Sequence, residues 1–463
     1  MNRKISFIFL LVSFIPFGSK LLAQGDTTTT LLNKTAAAFL IEEARRFYNE
    51  GNVRAALVKY REAYNKDPQS PKAAYGIGIC QYEIKNYGIS LKYARDAIRL
   101  RDNVDPEASY LVARCYHRSV ELDSALMYYR EADSLMSKTR SSDLNVKRNI
   151  SEVQLAEKLM KDTALHERIL YTGEVNSGFQ DYSPVITDNG NTLYFVSRRP
   201  NTTGGMVNPD DQLFFEDIFK AKWDEERWLW VDVTNELKRV NSDGFDAISH
   251  ISQDGKTMYL TINNTMVPDV KRKNKTQSSD IFVSTLSDKG DWSTPKKLDS
   301  PINTSFYDGA ATLTADGRTM FFVSERMGGE GRTDIYMSEL QGNEWSKPVN
   351  LGKHINTSGR ETTPFVTPDG QYLFFSSDGL NGMGGYDVYV VKREGSKFSK
   401  PYHLGYGINS VNDDTHFRYY PEMRKGVMAS IILIDTKSSY NLFSIEMGFF
   451  NYPKFEFPEE EGK

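Results

Sequence analysis

The chain has 463 residues, 39% of them hydrophobic and 25% charged, with a formal net charge of −4. That length suits two or three domains of ordinary globular composition. No domain-wide basic excess marks a nucleic-acid binder, and a mean hydropathy of −0.51 argues against a polytopic membrane protein.

The first 23 residues, "MNRKISFIFLLVSFIPFGSKLLA", combine a basic start at Arg3 and Lys4 with an apolar stretch and a small-residue end. This is the pattern of a secretory signal peptide. The apolar run is about 13 residues, short of the roughly 20 that a membrane span needs. The mature chain is expected to be exported, periplasmic or outer-membrane associated, with no transmembrane span. Residues 24–34 read as a flexible lead-in.

Residues 35–162 are helical and repetitive. "AALVKYREAYNKDP", "SLKYARDAIRLRDNVDP" and "SALMYYREADSLM" set small and aromatic residues at helical spacing, with Ala63, Ala97 and Ala132 marking the register. A period of 34–35 residues and small Ala44, Gly78 and Ala113 at helix crossings resemble three tetratricopeptide repeats, although the usual large residue early in each first helix is missing. The spacing implies an α-solenoid, and residues 142–161 read as a capping helix. Cys80 and Cys115 fall at equivalent positions of successive repeats, roughly 8–10 Å apart on stacked helices, too far for a disulfide. They read as core thiols. The resemblance implies a concave, partner-binding groove on the first helices. By register it would hold Arg45, Tyr48, Asn49, Tyr75, Tyr82, Tyr110, Arg114, His117 and Arg118, residue types suited to protein recognition.

From residue 163 to 450 the texture turns to short β-rich runs and Gly turns. A triplet Ile/Val-Asn-Ser/Thr recurs at Asn176, Asn241, Asn303, Asn356 and Asn409. Fourteen residues after the first four of these lies a turn glycine, Gly190, Gly255, Gly317 or Gly370, each after Asp or Asn, a tight-hairpin signal. An apolar strand follows ("TLYFVS", "TMYLTI", "TMFFVS", "YLFFSS"), then a "DIF/DIY/DVY" strand from Asp217, Asp280, Asp334 and Asp387, then Trp230, Trp292, Trp345 or Phe398. Each unit holds four strands, the blade of a β-propeller. The "TPDG…LFFSS" motif resembles the WD40-like, TolB-type propellers of bacterial envelopes. The fifth unit lacks its turn glycine, and five blades are expected. Two closures remain open: the segment 165–177 as the missing fourth strand, which is favoured, or "FNYPKFEF", 450–457. Residues 451–463 otherwise read as a tail. Units one and two carry longer loops, 198–216 and 263–279, the second with Lys271, Arg272, Lys273 and Lys275.

Five residues after each Asn stands an acid: Asp181, Asp246, Asp308, Glu361 and Asp414. These begin the innermost strands, so they are expected to ring the channel mouth. Such a ring either spends its charge on hydrogen bonds between neighbouring segments or attracts a cation or basic peptide end. Nothing in the spacing specifies a metal, and no cofactor is implied.

Nucleophile-elbow, zincin, phosphate-loop and dinucleotide motifs are missing, and the six His show no ligand spacing. Peptidases with a related propeller add a hydrolase domain that this chain has no room for. The expectation is therefore a non-enzymatic interaction scaffold with protein partners in the envelope. The order of repeats then propeller is similar to envelope proteins that accompany type IX secretion and gliding machinery, which implies outer-membrane secretion components as partners. Those relatives usually add a carboxypeptidase-regulatory-like and an OmpA-like peptidoglycan-binding domain. Neither is seen before "FPEEEGK", so direct peptidoglycan anchoring is not expected. The alternative is a ligand-binding or hydrolytic propeller acting on glycans or peptides at the acidic channel mouth.

Overall fold

The computed structural model describes residues 19–100, 106–161, 166–187, 190–209, 211–237, 239–267, 270–271, 275–434, 437–447 and 452–458. Most of the expected signal peptide lies outside the described residues. Helix α1, Ser19–Asn49, takes in residues 24–34, so the expected flexible lead-in is helical. No helix among the described residues is long and apolar enough to cross a membrane.

Helices α2 (Val53–Lys66), α3 (Pro71–Glu83), α4 (Tyr87–Arg99), α5 (Pro106–Arg118) and α6 (Leu122–Leu135) follow, with α1/α2, α3/α4 and α5/α6 packed as hairpins. Short α7 (Lys138–Asp143) and α8 (Val146–Lys161) close the array against α6. Sequence sets the starts. Asn52 accepts from the Ala55 amide, and Ser70, followed by Pro71, accepts from Ala73, satisfying amides that a helix start leaves open. Ala63, Ala97 and Ala132 are buried, as the register requires. Gly76 is the tightest helix crossing. A Cβ there would sit 2.2 Å from the Tyr60 ring, so this position must be glycine. Cys80 and Cys115 are buried free thiols, both pushed up to about 12 by burial, which keeps them protonated and unreactive.

Five antiparallel sheets follow among the described residues. Their innermost strands are Asp181–Thr187, Phe245–Ile251, Asp308–Leu313, Glu361–Val366 and Asp414–Tyr420. Hairpin turns lead to the second strands, with Gly255, Gly317 and Gly370 at φ near +70°. In the fifth blade Arg424 takes the left-handed turn at φ +51° where the glycine is missing. The fourth strand is split in blades three and four into Glu344–Trp345 plus Val349–Asn350 and Lys397–Phe398 plus Tyr402–His403. The interruption falls on "SKP", because proline offers no amide to the ladder.

The recurrent Asn is a backbone clamp. Asn241 accepts from the Ile218 amide and donates to the Ile218 carbonyl, both at 2.9 Å. Asn303, Asn356 and Asn409 do the same at Ile281, Ile335 and Val388. Each therefore fastens a blade's exit to that blade's third strand. Asn176 clamps Leu442 of the fifth blade, and Arg168–Leu170 pairs with Phe443–Ile445. The ring thus closes through its N-terminal segment. Residues 452–458 form no strand; they cross blade four, where Tyr452 stacks on Tyr372 at 3.6 Å and Glu456 accepts from the Lys400 amide.

Candidate functional site

The five repeated acids have no exposed surface. Asp308 is typical. One carboxylate oxygen accepts from the Thr304 amide and hydroxyl, both at 2.6 Å, and the other from Ser324 at 2.6 Å and Arg326 at 2.8 Å. Asp181 has the same set in Ser177, Ser197 and Arg199, and Asp414 in Ser410, Ser430 and Arg168. Glu361 uses Thr357 and Ser377. Of the two roles expected for the ring, hydrogen bonding and ligand attraction, the buried carboxyls show the first. Each acid is turned into its own connector because the triplet Ser/Thr, four residues back, aims two donors at it. The signal that could have foretold this is the Ser sixteen residues after four of the acids.

Blade two lacks that serine, with Ile262 in its place. Asp246 keeps the Ser242 amide and hydroxyl, at 2.6 and 2.8 Å, but its second oxygen has no partner among the described residues. Burial, with Asp217 and Glu216 adding to it against the Ser242 bonds, pushes Asp246 up to about 7. Burial also lifts Asp414 to about 6 against the pull of Arg168. No cluster of His, Cys, Asp and Glu among the described residues could hold a metal ion.

The concave-face residues divide into two groups. Arg45 pairs with Glu42 on its own helix, Asn49 is exposed and Tyr48 is half-buried. The Tyr75 hydroxyl donates to Glu107 at 3.3 Å. Further along, the groove is filled. The Arg114 guanidinium lies 3.8 Å over the Tyr82 ring, and the Tyr110 hydroxyl donates to Leu144 O and Asn149. Arg118 donates to the Tyr82 hydroxyl at 3.0 Å and to the Val411 carbonyl of the propeller. His117 Nε2 bonds the Met383 carbonyl at 2.8 Å, and burial with the charge of Arg118 pushes it down to about 3, leaving it neutral. So the expected groove is not open throughout. Tyr82, Tyr110 and Arg114 are packed within the array, and at His117 and Arg118 the face becomes a seam with the propeller.

Sequence reasoning missed the rest of that seam. Lys85 donates to Asp413 at 2.9 Å, and Ser438 donates to Lys85 O at 2.6 Å. Arg148 of α8 donates to the Asp378 and Leu380 carbonyls. Met383 and Val411 pack against Ala156. Lys85 and Arg118 hold the Asp413 carboxyl down at about 2 although it is buried. Hydrogen-bonded charges of this kind are costly to break from one side.

The expected central channel is a cavity of about 450 Å³, into which all five innermost strands project, and its lining was missed. Tyr182, Tyr307, Tyr386 and Tyr440 line it with Glu216, His416, Arg418 and Phe365. Burial raises the Glu216 carboxyl, against Arg198 and a hydrogen bond from Tyr182. Four innermost strands bulge at the second residue after the acid, putting Ser183, Ala310, Thr363 and His416 at φ between +46° and +55°. Non-glycine residues held there are strained and gather at functional sites.

No family model matches the chain, and no curated protein matches it. Solved structures match it in part. The first tetratricopeptide-repeat domain of Spaghetti (RPAP3), bound to an HSP90 peptide, is 14% identical and covers 27% of this chain and 95% of its own, with a TM-score of 0.25. An α-L-arabinofuranosidase from Podospora anserina, in complex with cellotriose, is 12% identical over 60% of this chain and 93% of its own, TM-score 0.36. A glycoside hydrolase is 9% identical over 67% and 99%, TM-score 0.41.

The hydrolases overturn one expectation. The chain was expected to be non-enzymatic partly because related propellers add a hydrolase domain. In these two proteins the matched propeller makes up nearly the whole chain. On that finding the exclusion of enzymatic activity is withdrawn. Repeat arrays and propellers both have the capacity for protein interaction.

Proposed function

We propose that this protein is an exported interaction scaffold of the bacterial cell envelope, periplasmic or outer-membrane associated, that serves type IX secretion or gliding machinery. The observation that carries the reading is the seam. Lys85, His117, Arg118 and Arg148 bind the propeller through buried, hydrogen-bonded contacts, which makes the array and the ring one platform. The stretch at Arg45, Tyr48 and Asn49 stays accessible for a protein partner. The leader-like first 23 residues and the order of repeats then propeller support the location. Crosslinking in intact envelopes followed by capture of the full chain tests it. Recovery of outer-membrane secretion components is expected, and their loss on Arg45→Glu with Tyr48→Ala would assign the contact to the open end. Capture without partners, together with turnover of a glycan or peptide, would overturn the scaffold.

A second reading, a propeller acting on glycans or peptides, is favoured by the cavity at Glu216. Glycoside hydrolysis ordinarily employs two carboxyl groups, and Glu216 is the carboxylate among the described lining residues. Turnover abolished by Glu216→Gln in a folded protein would support this reading.

A further inference from the structure

The cavity carries a positive charge, on Arg418, that no described carboxylate pairs with. Arg418 is 5% exposed and lines the cavity from the fifth innermost strand. Its guanidinium offers five donors. One Nη2 hydrogen goes to the Ser249 carbonyl, and Nε has no partner among the described residues. No described carboxylate forms an ion pair with it. The Phe365 ring lies 5.6 Å from it, a contact that stabilises a cation without satisfying its hydrogens.

The surroundings add donors rather than acids. His416, two residues earlier on the same strand, also lines the cavity, and its Nδ1 pairs with the Thr415 hydroxyl at 3.0 Å. Burial, then the charge of Arg418, pushes both His416 and His250 down to about 3. A buried guanidinium without an anion is expensive. Burial lowers even the Arg418 pKa. Glu216, the lining acid, takes its hydrogen bond from Tyr182, and no ion pair joins it to Arg418 among the described residues.

We infer that the cavity is a binding site for a carboxylate-bearing ligand, whose carboxylate pairs with Arg418 beside His416 and whose remainder lies against the tyrosines. Two planar hydrogen bonds from a guanidinium match a carboxylate, and a cavity of this size holds one small molecule. The tyrosines supply faces for a sugar ring or a peptide backbone. The inference stands apart from the scaffold reading, because it concerns the ring's interior and not its seam.

Titration calorimetry on the full chain tests it with two carboxylate probes, D-glucuronate and Ala-Ala, and their neutral counterparts, D-glucose and amidated Ala-Ala. One carboxylate probe is expected to bind and its counterpart to fail, and which probe binds tells an acidic sugar from a peptide end. Arg418→Gln, checked for cooperative unfolding, should weaken that probe by at least about tenfold. Should that variant not fold, the wild-type His416 ring signals, followed by NMR, must shift with the carboxylate probe and not with the neutral one. Binding by neither acid, equal binding of a neutral counterpart, unchanged affinity in folded Arg418→Gln, or unmoved His416 signals would overturn the inference.

Discussion

The blade connectors and the seam between array and ring both rest on buried carboxylates, but they find their partners differently. Asp308 is satisfied by Thr304, Ser324 and Arg326, all within twenty residues of it. Asp413 is satisfied by Lys85 and Arg118, about three hundred residues away. The first arrangement is a local turn that repetition multiplies. The second exists only once the solenoid has curved back onto the ring. Burial of the same degree therefore serves blade folding in one place and domain docking in the other.

The largest effect should come from breaking a complete connector. Asp308→Ala strips a buried, charge-paired acid and leaves Arg326 unpaired, at a cost of about 3–5 kcal/mol. Chemical denaturation should show the whole propeller destabilised, and a change under about 1 kcal/mol would mean the connector is decorative.

Lys85→Ala attacks the seam. It leaves Asp413 with Arg118 at 4.0 Å, the Tyr440 hydroxyl at 3.3 Å and the Tyr386 amide at 3.4 Å, and the expected loss is about 2–4 kcal/mol of docking energy. The consequence should differ in kind from the first. Calorimetry is expected to resolve two transitions, with hydrogen exchange rising at 411–413 while the blade connectors stay protected. A uniform loss across both parts would erase the distinction.

Acidity separates the two further. Asp413 is held down at about 2, below the ordinary carboxylate value of about 3.9. Its stabilisation is full above about pH 4 and is lost only as pH falls through about 2. Asp246 is pushed up to about 7. Its contribution is full below about pH 3.9 and is lost as pH rises through about 7. Propeller stability followed by thermal unfolding should therefore decline between about pH 4 and 7 and level off above, while array–ring docking stays level. A flat propeller profile would count against the orphaned oxygen of Asp246.

The smallest effect is expected from Asp246→Asn. It keeps an acceptor for Ser242 and removes the charge, so stability below about pH 4, where the wild-type carboxyl is protonated in both states, should change by less than about 1 kcal/mol. Most of the decline toward pH 7 should vanish with it. The same substitution at Asp308 should cost more, since Arg326 loses its counter-charge.

Much of the fold was legible in the residues. The Ala register, the clamp Asn, the turn glycines and the apolar strands all recur, and recurrence is visible without coordinates. The acids were legible as a set, with hydrogen bonding as one of their two expected roles, but their position at a strand start says nothing about which way a carboxyl turns. What turns it is the Ser/Thr four residues back and the Ser sixteen ahead, both part of the same repeat. The cavity was hidden for the opposite reason. Its chemistry lies where the repeats disagree. Four residues after the acid stand Val185, His250, Thr312, Phe365 and Arg418, and self-comparison discards such positions as noise.

By itself, then, the sequence determined the helical array, the five four-stranded units and the recurrent Asn that fastens each unit's exit to its own third strand, since each depends on contacts short in chain distance and repeated in kind. Tertiary structure chose between the two closures, completing the fifth blade with the favoured N-terminal segment, and alone decided that the ring covers the concave face at His117 and Arg118. It also decided that Arg418, His416 and Glu216 share one cavity. Those outcomes depend on bringing distant, unrepeated side chains together, and only closure of the ring and curvature of the solenoid do that.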